Sequence, residues 1–468
     1  MSKRELDSEF SVKLLFITLI AGTAALGGFL FGFDTAIING AVTAIQGHFE
    51  AGSMMTGLAV SLALIGSAVG AFFVGSIADR IGRTRSMVIA SVLFTISAIG
   101  SGLPITIYDF IFWRFVGGVG VGAASVIAPA YIAEVAPARL RGRMGTLQQL
   151  AIVIGIFIAL LSSYVIASAA GGSSNEWLFG VAAWRWMFWS EIPPAVLYGV
   201  AALFIPESPR YLVAAGKEAT ARQVLDRYMN AAHAEHVLAR IKETVRTERK
   251  PKFSDLLGDG KKILPIVWVG MGLSALQQFV GINVIFYYSS VLWQAVGFTE
   301  ENALLITVIT GLVNIITTVV AIATVDKFGR KPLLILGSIG MTLTLGTMAV
   351  LFSQATLVDG NPTLEGSSGM MALIAANLYV FCFGFSWGPV VWVLLGEMFN
   401  NKIRAIALSV AAAVQWVSNF LISSTFPVML KSLGLGAAYG IYTAMALISV
   451  FFVIRFVKET KGKSLEDM

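Results

Sequence analysis

The chain has 468 residues, 56% of them hydrophobic and only 13% charged, where soluble domains carry about 25% charge. Such a chain cannot cover its own surface in water, and its single cysteine, Cys382, excludes a disulfide framework and a cysteine-based metal site. The net charge of +6 would point to nucleic acid in a soluble protein, but here Lys and Arg punctuate apolar runs and report topology instead.

A bilayer span needs about 20 mostly apolar residues. The polar stretch MSKRELDSEFSVK leads into an apolar run too long for a signal peptide. Six spans are predicted near 13–47, 54–78, 86–104, 107–133, 146–168 and 184–205. A charged segment follows, about 206–262, with apolar residues at helical spacing, which predicts short amphipathic helices. His233 and His236 in it read as a solvated surface pair, and with His48 the only other histidine no metal site is expected. Six more spans are predicted near 263–294, 302–325, 332–352, 371–397, 404–428 and 436–457.

Basic residues cluster in alternate loops: Arg80, Arg83 and Arg85; Arg139, Arg141 and Arg143; Lys327, Arg330 and Lys331. Both termini carry them too, and Lys431 is the main exception on the other side. Both termini are therefore expected to be cytoplasmic, with an even number of spans. No Walker motif, phosphate-binding glycine loop or nucleophile–base set is visible, so an enzyme, an ATP-driven pump and a cofactor are not indicated.

GSIADRIGR reappears as ATVDKFGR, AEVAPARLRG as GEMFNNKIRA and PESPR as KETKG, in order and at a shift of roughly 250 residues. This predicts two related six-helix halves, 1–205 and 263–468, joined by a linker at 206–262. Each motif ends a cytoplasmic helix with matched acids and bases, so a latch between the halves is expected there. Its members are Asp79, Arg80, Arg83, Glu134, Arg139, Arg141, Glu207 and Arg210, with Asp326, Arg330, Glu397, Arg404 and Glu459 in the second half.

GGFLFGFDTAIING, DRIGRT, RFVGGVGVG, EVAPARLRGRMG, PESPR, QQFVGINVIFYYS, VDKFGRKP, GPVVWVLLGEMF and ETKGKSLE together resemble the sugar porter family of the major facilitator superfamily, over essentially the whole chain. The resemblance implies an all-α integral membrane protein of twelve transmembrane helices that carries a sugar by alternating access. It also implies a bacterial inner-membrane location, a chain that works as a monomer in the lipid bilayer, and no nucleic-acid partner.

Charges inside spans are costly, about 2.5–3.5 kcal/mol each on insertion scales, and are usually functional. Asp34, Arg114 and Glu191 stand out, and their depths allow all three to meet at one level of the first half. An acid that gains and loses an Arg partner can bind and release a proton. Proton-coupled members of the family resemble this chain at all three positions, whereas facilitative glucose uniporters have an amide at that of Asp34. Proton symport is therefore expected, with facilitative glucose uniport as the alternative.

Gln and Asn both donate and accept, which suits sugar hydroxyls. Gln277, Gln278, Asn283 and Tyr287 share the seventh span, where a break near Gly281 would let them face one cavity. The resemblance adds Gln149, Asn314, Trp392, Gln415 and Asn419, with Phe31 and Trp416 as wall positions and Tyr287 and Tyr288 as an outer gate. At Ile156, seven residues after Gln149, the bacterial pentose porter of the family has Gln and the facilitative glucose transporters have Ile. Ile156 can pack against the extra CH₂ of a hexose, so a hexose, glucose first, is expected as substrate.

Overall fold

The structure is a computed structural model that describes residues 3–136, 141–228, 231–247, 253–258, 262–358, 361–364, 367–399 and 403–461. The first half contains α1 (Lys3–His48), α2 (Ser53–Ile81), α3 (Arg83–Gly102), α4 (Ile107–Val135), α5 (Arg141–Ala170), α6 (Ala183–Trp189) and α7 (Ile192–Phe204). Three shorter helices follow, α8 (Pro209–Ala214) and the amphipathic α9 (Glu218–Tyr228) and α10 (Ala231–Thr247). The second half contains α11 (Pro265–Phe279), α12 (Ile282–Gln294), α13 (Glu300–Phe328), α14 (Arg330–Ser353), α15 (Ser368–Gly384), α16 (Trp387–Met398) and α17 (Arg404–Phe456).

Among the described residues, eleven stretches are long and apolar enough to cross a membrane. The last of them spans Ile406–Phe456. One straight helix of that size would run about 75 Å, far beyond a hydrocarbon core of about 30 Å. Gly434 breaks it, with φ 79° and ψ 167°, a conformation open to Gly for want of a Cβ. The stretch therefore makes two passes, and the expected twelve spans are present.

Lipid tails give apolar helices no hydrophobic reason to associate, so close backbone approach must supply the packing. The α2–α4 contact shows how. A Cβ on Gly118 would stand 1.9 Å from Ala63 O, and one on Gly66 would stand 2.2 Å from Phe115 O. Across the boundary between halves, α2 packs on α17, α5 on α13 and α1 on α12. These pairings exchange matching helices of the two halves, as a two-fold repeat requires. A two-stranded hairpin, Thr356–Val358 with Asn361–Thr363, follows α14. It was not among the sequence expectations, although an Asp-Gly pair is a hairpin cue.

Candidate functional site

Three of the crossings are broken at mid-length, and the breaks build the site. Between α11 and α12, Gly281 takes φ 84°, confirming the break expected there. Between α15 and α16, Ser386 takes φ −126° and ψ −90°. Between α6 and α7, the run Glu191-Ile192-Pro193-Pro194 restarts the helix, with Glu191 as its N-cap residue. Breaks free backbone carbonyls and point side chains inward, which transporter helices use to hold cargo.

A cavity of about 2350 Å³ runs between the halves to the end of the molecule that carries the basic loops. All twelve residues expected to bind substrate line it. Phe31 and Trp416, one from each half, hold their rings 5.9 Å apart on its wall. Gln149 and Ile156 line it from α5, and Asn314 from α13. Gln277, Gln278, Asn283 and Tyr287 come from either side of the Gly281 break. Trp392, Gln415 and Asn419 complete it.

The amides are already organised. Gln277 Nε2 donates to Trp387 O at 2.7 Å, at the start of α16. Gln278 Nε2 donates to Gln277 Oε1 at 3.3 Å, and Asn283 Nδ2 donates to Gln278 Oε1. Asn419 Nδ2 donates to the Tyr287 hydroxyl at 3.4 Å. Gln148, Thr35, Thr318 and Phe383 also line the cavity and were missed from sequence. Only Gln148 left a signal, since it makes a Gln pair with Gln149 as Gln277 does with Gln278.

Asp34, Arg114 and Glu191 are brought together, each 1% exposed or less. Arg114 Nη1 donates to Asp34 Oδ1 at 2.7 Å and Arg114 Nη2 to Asp34 O at 2.9 Å. Glu191 lies within electrostatic reach of both. The Arg114 guanidinium also sits 5.7 Å from the centre of the Phe188 ring. Arg114 thus pairs with Asp34, and Glu191 is buried beside that pair with its Oε1 unpartnered among the described residues. Asp34 does not itself line the cavity, but its chain neighbour Thr35 does.

The charged motifs at the basic end pair within each half, and the two halves match. Arg83 Nε and Nη2 donate to Glu134 at 3.1 and 3.0 Å, and its Nη1 to Ala78 O. Arg330 does the same to Glu397, at 3.0 and 2.7 Å, and to Val325 O. Asp79 adds a 3.0 Å bridge to Arg83. Glu207 accepts from Arg83 N and the Thr84 hydroxyl, and Glu459 from Arg330 N and Lys331 N. Burial alone would raise the pKa of Glu459, but the N–H groups of Lys461, Arg330, Lys331 and Thr460 hold it below the usual carboxylate value. Gly82 and Gly329, both at positive φ, leave room for Glu207 and Glu459. Arg210 lies at the cavity mouth. Arg404 Nε donates to Phe399 O, and Arg80 O accepts from the Tyr211 hydroxyl. Arg139 lies outside the described residues, as do the side chains of Arg141 and Asp326.

At the opposite end α1 meets α12 of the other half through Asn39, with Phe286 O and Ser290 N, and Tyr288 is buried nearby with its hydroxyl donating to Ser423 O of its own half at 2.9 Å. The site is therefore open toward the basic end.

Comparison with known proteins agrees with this geometry. The family described as "Sugar (and other) transporter" matches residues 20–468. A "Glucose transport protein" of Synechocystis sp. is 66% identical over the full length of both chains. The "D-xylose-proton symporter" of Escherichia coli K12 is 38% identical over 99% of this chain and 96% of that one. A partially occluded inward-open structure of the E. coli xylose transporter superposes with a TM-score of 0.83 at 37% identity, covering 96% of this chain and 99% of that one. The chain belongs to the sugar transporter family and has the major facilitator fold of a multi-pass membrane transporter.

Proposed function

We propose that the protein is a proton-coupled hexose symporter, with glucose first among its sugars, working by alternating access. One observation carries the coupling: the buried Asp34–Arg114 pair with Glu191 beside it, directly behind a sugar-sized wall of amides and aromatics. Two carboxyls facing one guanidinium balance when they share a proton. If Asp34 releases Arg114, Glu191 is placed to hold it, and Asp34 is then free to take a proton from the outside. The relative named a glucose transport protein supports the choice of hexose.

In this reading the basic end is cytoplasmic, both termini lie there, and the structure is the inward-facing state. The halves are 1–205 and 263–468, with 206–262 as the linker, and each chain works as a monomer in the bacterial inner membrane. The protein performs no enzymatic step. The charged motifs, paired within halves here, form the inner latch when the halves close at that end. In proteoliposomes with an acidic exterior, labelled glucose should accumulate above its outside concentration and drain when an uncoupler is added. Uptake that stops at equal concentrations and ignores the uncoupler would favour the uniporter instead.

Two binding predictions arise from the cavity. Gln278→Ala removes the middle of the amide chain and strands a sugar hydroxyl. This should weaken glucose binding by about 1–3 kcal/mol, read by titration of the purified protein; unchanged affinity would move the sugar away from α11. Ile156→Gln should shift preference from glucose toward xylose by a similar amount, since one methylene contact is worth about 1–3 kcal/mol of discrimination. Competition of labelled glucose uptake by unlabelled sugars reads it, and an unchanged ranking would remove Ile156 from the specificity argument.

A further inference from the structure

Asn39 is wholly buried on α1, and both polar atoms of its side chain are engaged by α12 of the other half. Its Nδ2 donates to Phe286 O at 2.9 Å, and its Oδ1 accepts from Ser290 N at 3.1 Å. Its backbone carbonyl accepts from the Ser290 hydroxyl at 2.5 Å. Phe286 O and Ser290 N stand four residues apart, so they are the acceptor and donor of one rung of the α-helical ladder. The Asn39 amide therefore grips both ends of a single rung across the boundary between halves. A primary amide presents a donor and an acceptor side by side, whereas an ionised Asp would offer Phe286 O only a second acceptor.

The position matters as much as the chemistry. Asn39 lies five residues beyond Asp34 on α1, about 7.5 Å farther from the basic end. The rung it grips encloses Tyr287, which lines the cavity. The grip thus closes the pathway just past the sugar site, at the end where the halves meet. Helices distort where a side chain enters their ladder, and here that side chain comes from the opposing half.

We infer that Asn39 is the clamp that holds the outer side of the transporter shut in the inward-facing state. It releases when the cavity turns outward. On release, Ser290 N and Phe286 O, the donor and acceptor of one helical rung, pair with each other, so α12 is left with no orphaned backbone group. The outer gate can then open without stranding a polar group, which in a dry interface would be costly. Sugar contacts at Tyr287 and the clamp act on the same turn of helix, so cargo and gate share one lever. This role rests on the alternating-access reading above and assigns the outer closure to a named residue.

The test uses the full-length protein carrying Cys382→Ala and one reporter cysteine. Thr56→Cys reports the outer end, where Thr56 is 3% exposed. Gly75→Cys reports the cavity wall toward the basic end, where an added Cβ meets nothing within 4 Å. With Asn39→Ala, a hydrophilic maleimide should label Thr56→Cys faster and Gly75→Cys more slowly, each by roughly ten-fold, as expected for the loss of a few net hydrogen bonds. Asn39→Asp should act in the same direction. Ser290→Ala, which removes one bond and leaves the amide grip, should shift both rates the same way by roughly three-fold. Unmoved rates at both reporters in an Asn39→Ala protein that still exchanges glucose would overturn the clamp. If Asn39→Ala yields no folded protein, unmoved rates in Ser290→Ala overturn it equally. A background protein that exchanges no sugar would count against the proposed function instead, so the two failures are distinguishable.

Discussion

Asp34→Asn is expected to abolish accumulation of glucose against its gradient while sparing exchange of labelled for unlabelled glucose. The amide keeps the size of the side chain and can still accept a hydrogen bond from Arg114, but it carries no charge to titrate. The pair it replaces is 2.7 Å long and 1% exposed on both sides, so no water takes over its role. The loss should be large. A potential of 100 mV acting on one co-transported charge is worth about 2.3 kcal/mol, which at about 1.4 kcal/mol per decade supports roughly 40-fold accumulation. The variant should reach a ratio near one. Counterflow, which needs only sugar and both gates, should continue. Accumulation by the variant that still collapses with an uncoupler would remove Asp34 from the coupling step.

Arg114→Leu is expected to damage the fold itself, and more severely than Asp34→Asn. Removing the base leaves Asp34 and Glu191 as two acids in a buried site, each 1% exposed or less. Breaking a buried pair by deleting one partner typically costs about 3–5 kcal/mol, because the remaining charge is uncompensated. Removing the charge of Asp34 instead leaves Arg114 with Glu191, a balanced pair. The order of thermal stability in detergent should therefore be wild type, then Asp34→Asn, then Arg114→Leu by a wide margin. Equal melting temperatures for the two variants would mean that Glu191 does not share Arg114.

Much of this architecture was legible from residue pattern. The spans follow from apolar runs, and the break at Gly281 from an isolated Gly between amides that cannot share one regular helical face. The repeat predicted matched acids and bases, and Arg83 with Glu134 and Arg330 with Glu397 now show the same geometry twice. What pattern did not reveal is which partners meet. The charged residues expected to latch the halves together instead join neighbours within a half. Asn39 lies inside the quoted GGFLFGFDTAIING motif, but its partners on α12 stand 247 and 251 residues away, and no local pattern brings them together. The breaks at Ser386 and before Ile192 were also not predicted. Each sits near a Pro, which removes a backbone donor, but Pro129 and Pro427 lie inside α4 and α17 without such a break. Local sequence alone does not separate the two outcomes.

The most direct test of proton coupling uses a pH electrode. Proteoliposomes in a lightly buffered suspension, with no gradient imposed, receive glucose from outside. The external medium should turn alkaline as sugar enters, in step with it, and the signal should vanish with an uncoupler and with Asp34→Asn. Glucose entry confirmed by counterflow, with no change of external pH, would contradict the symport mechanism and leave a facilitator built on the same site.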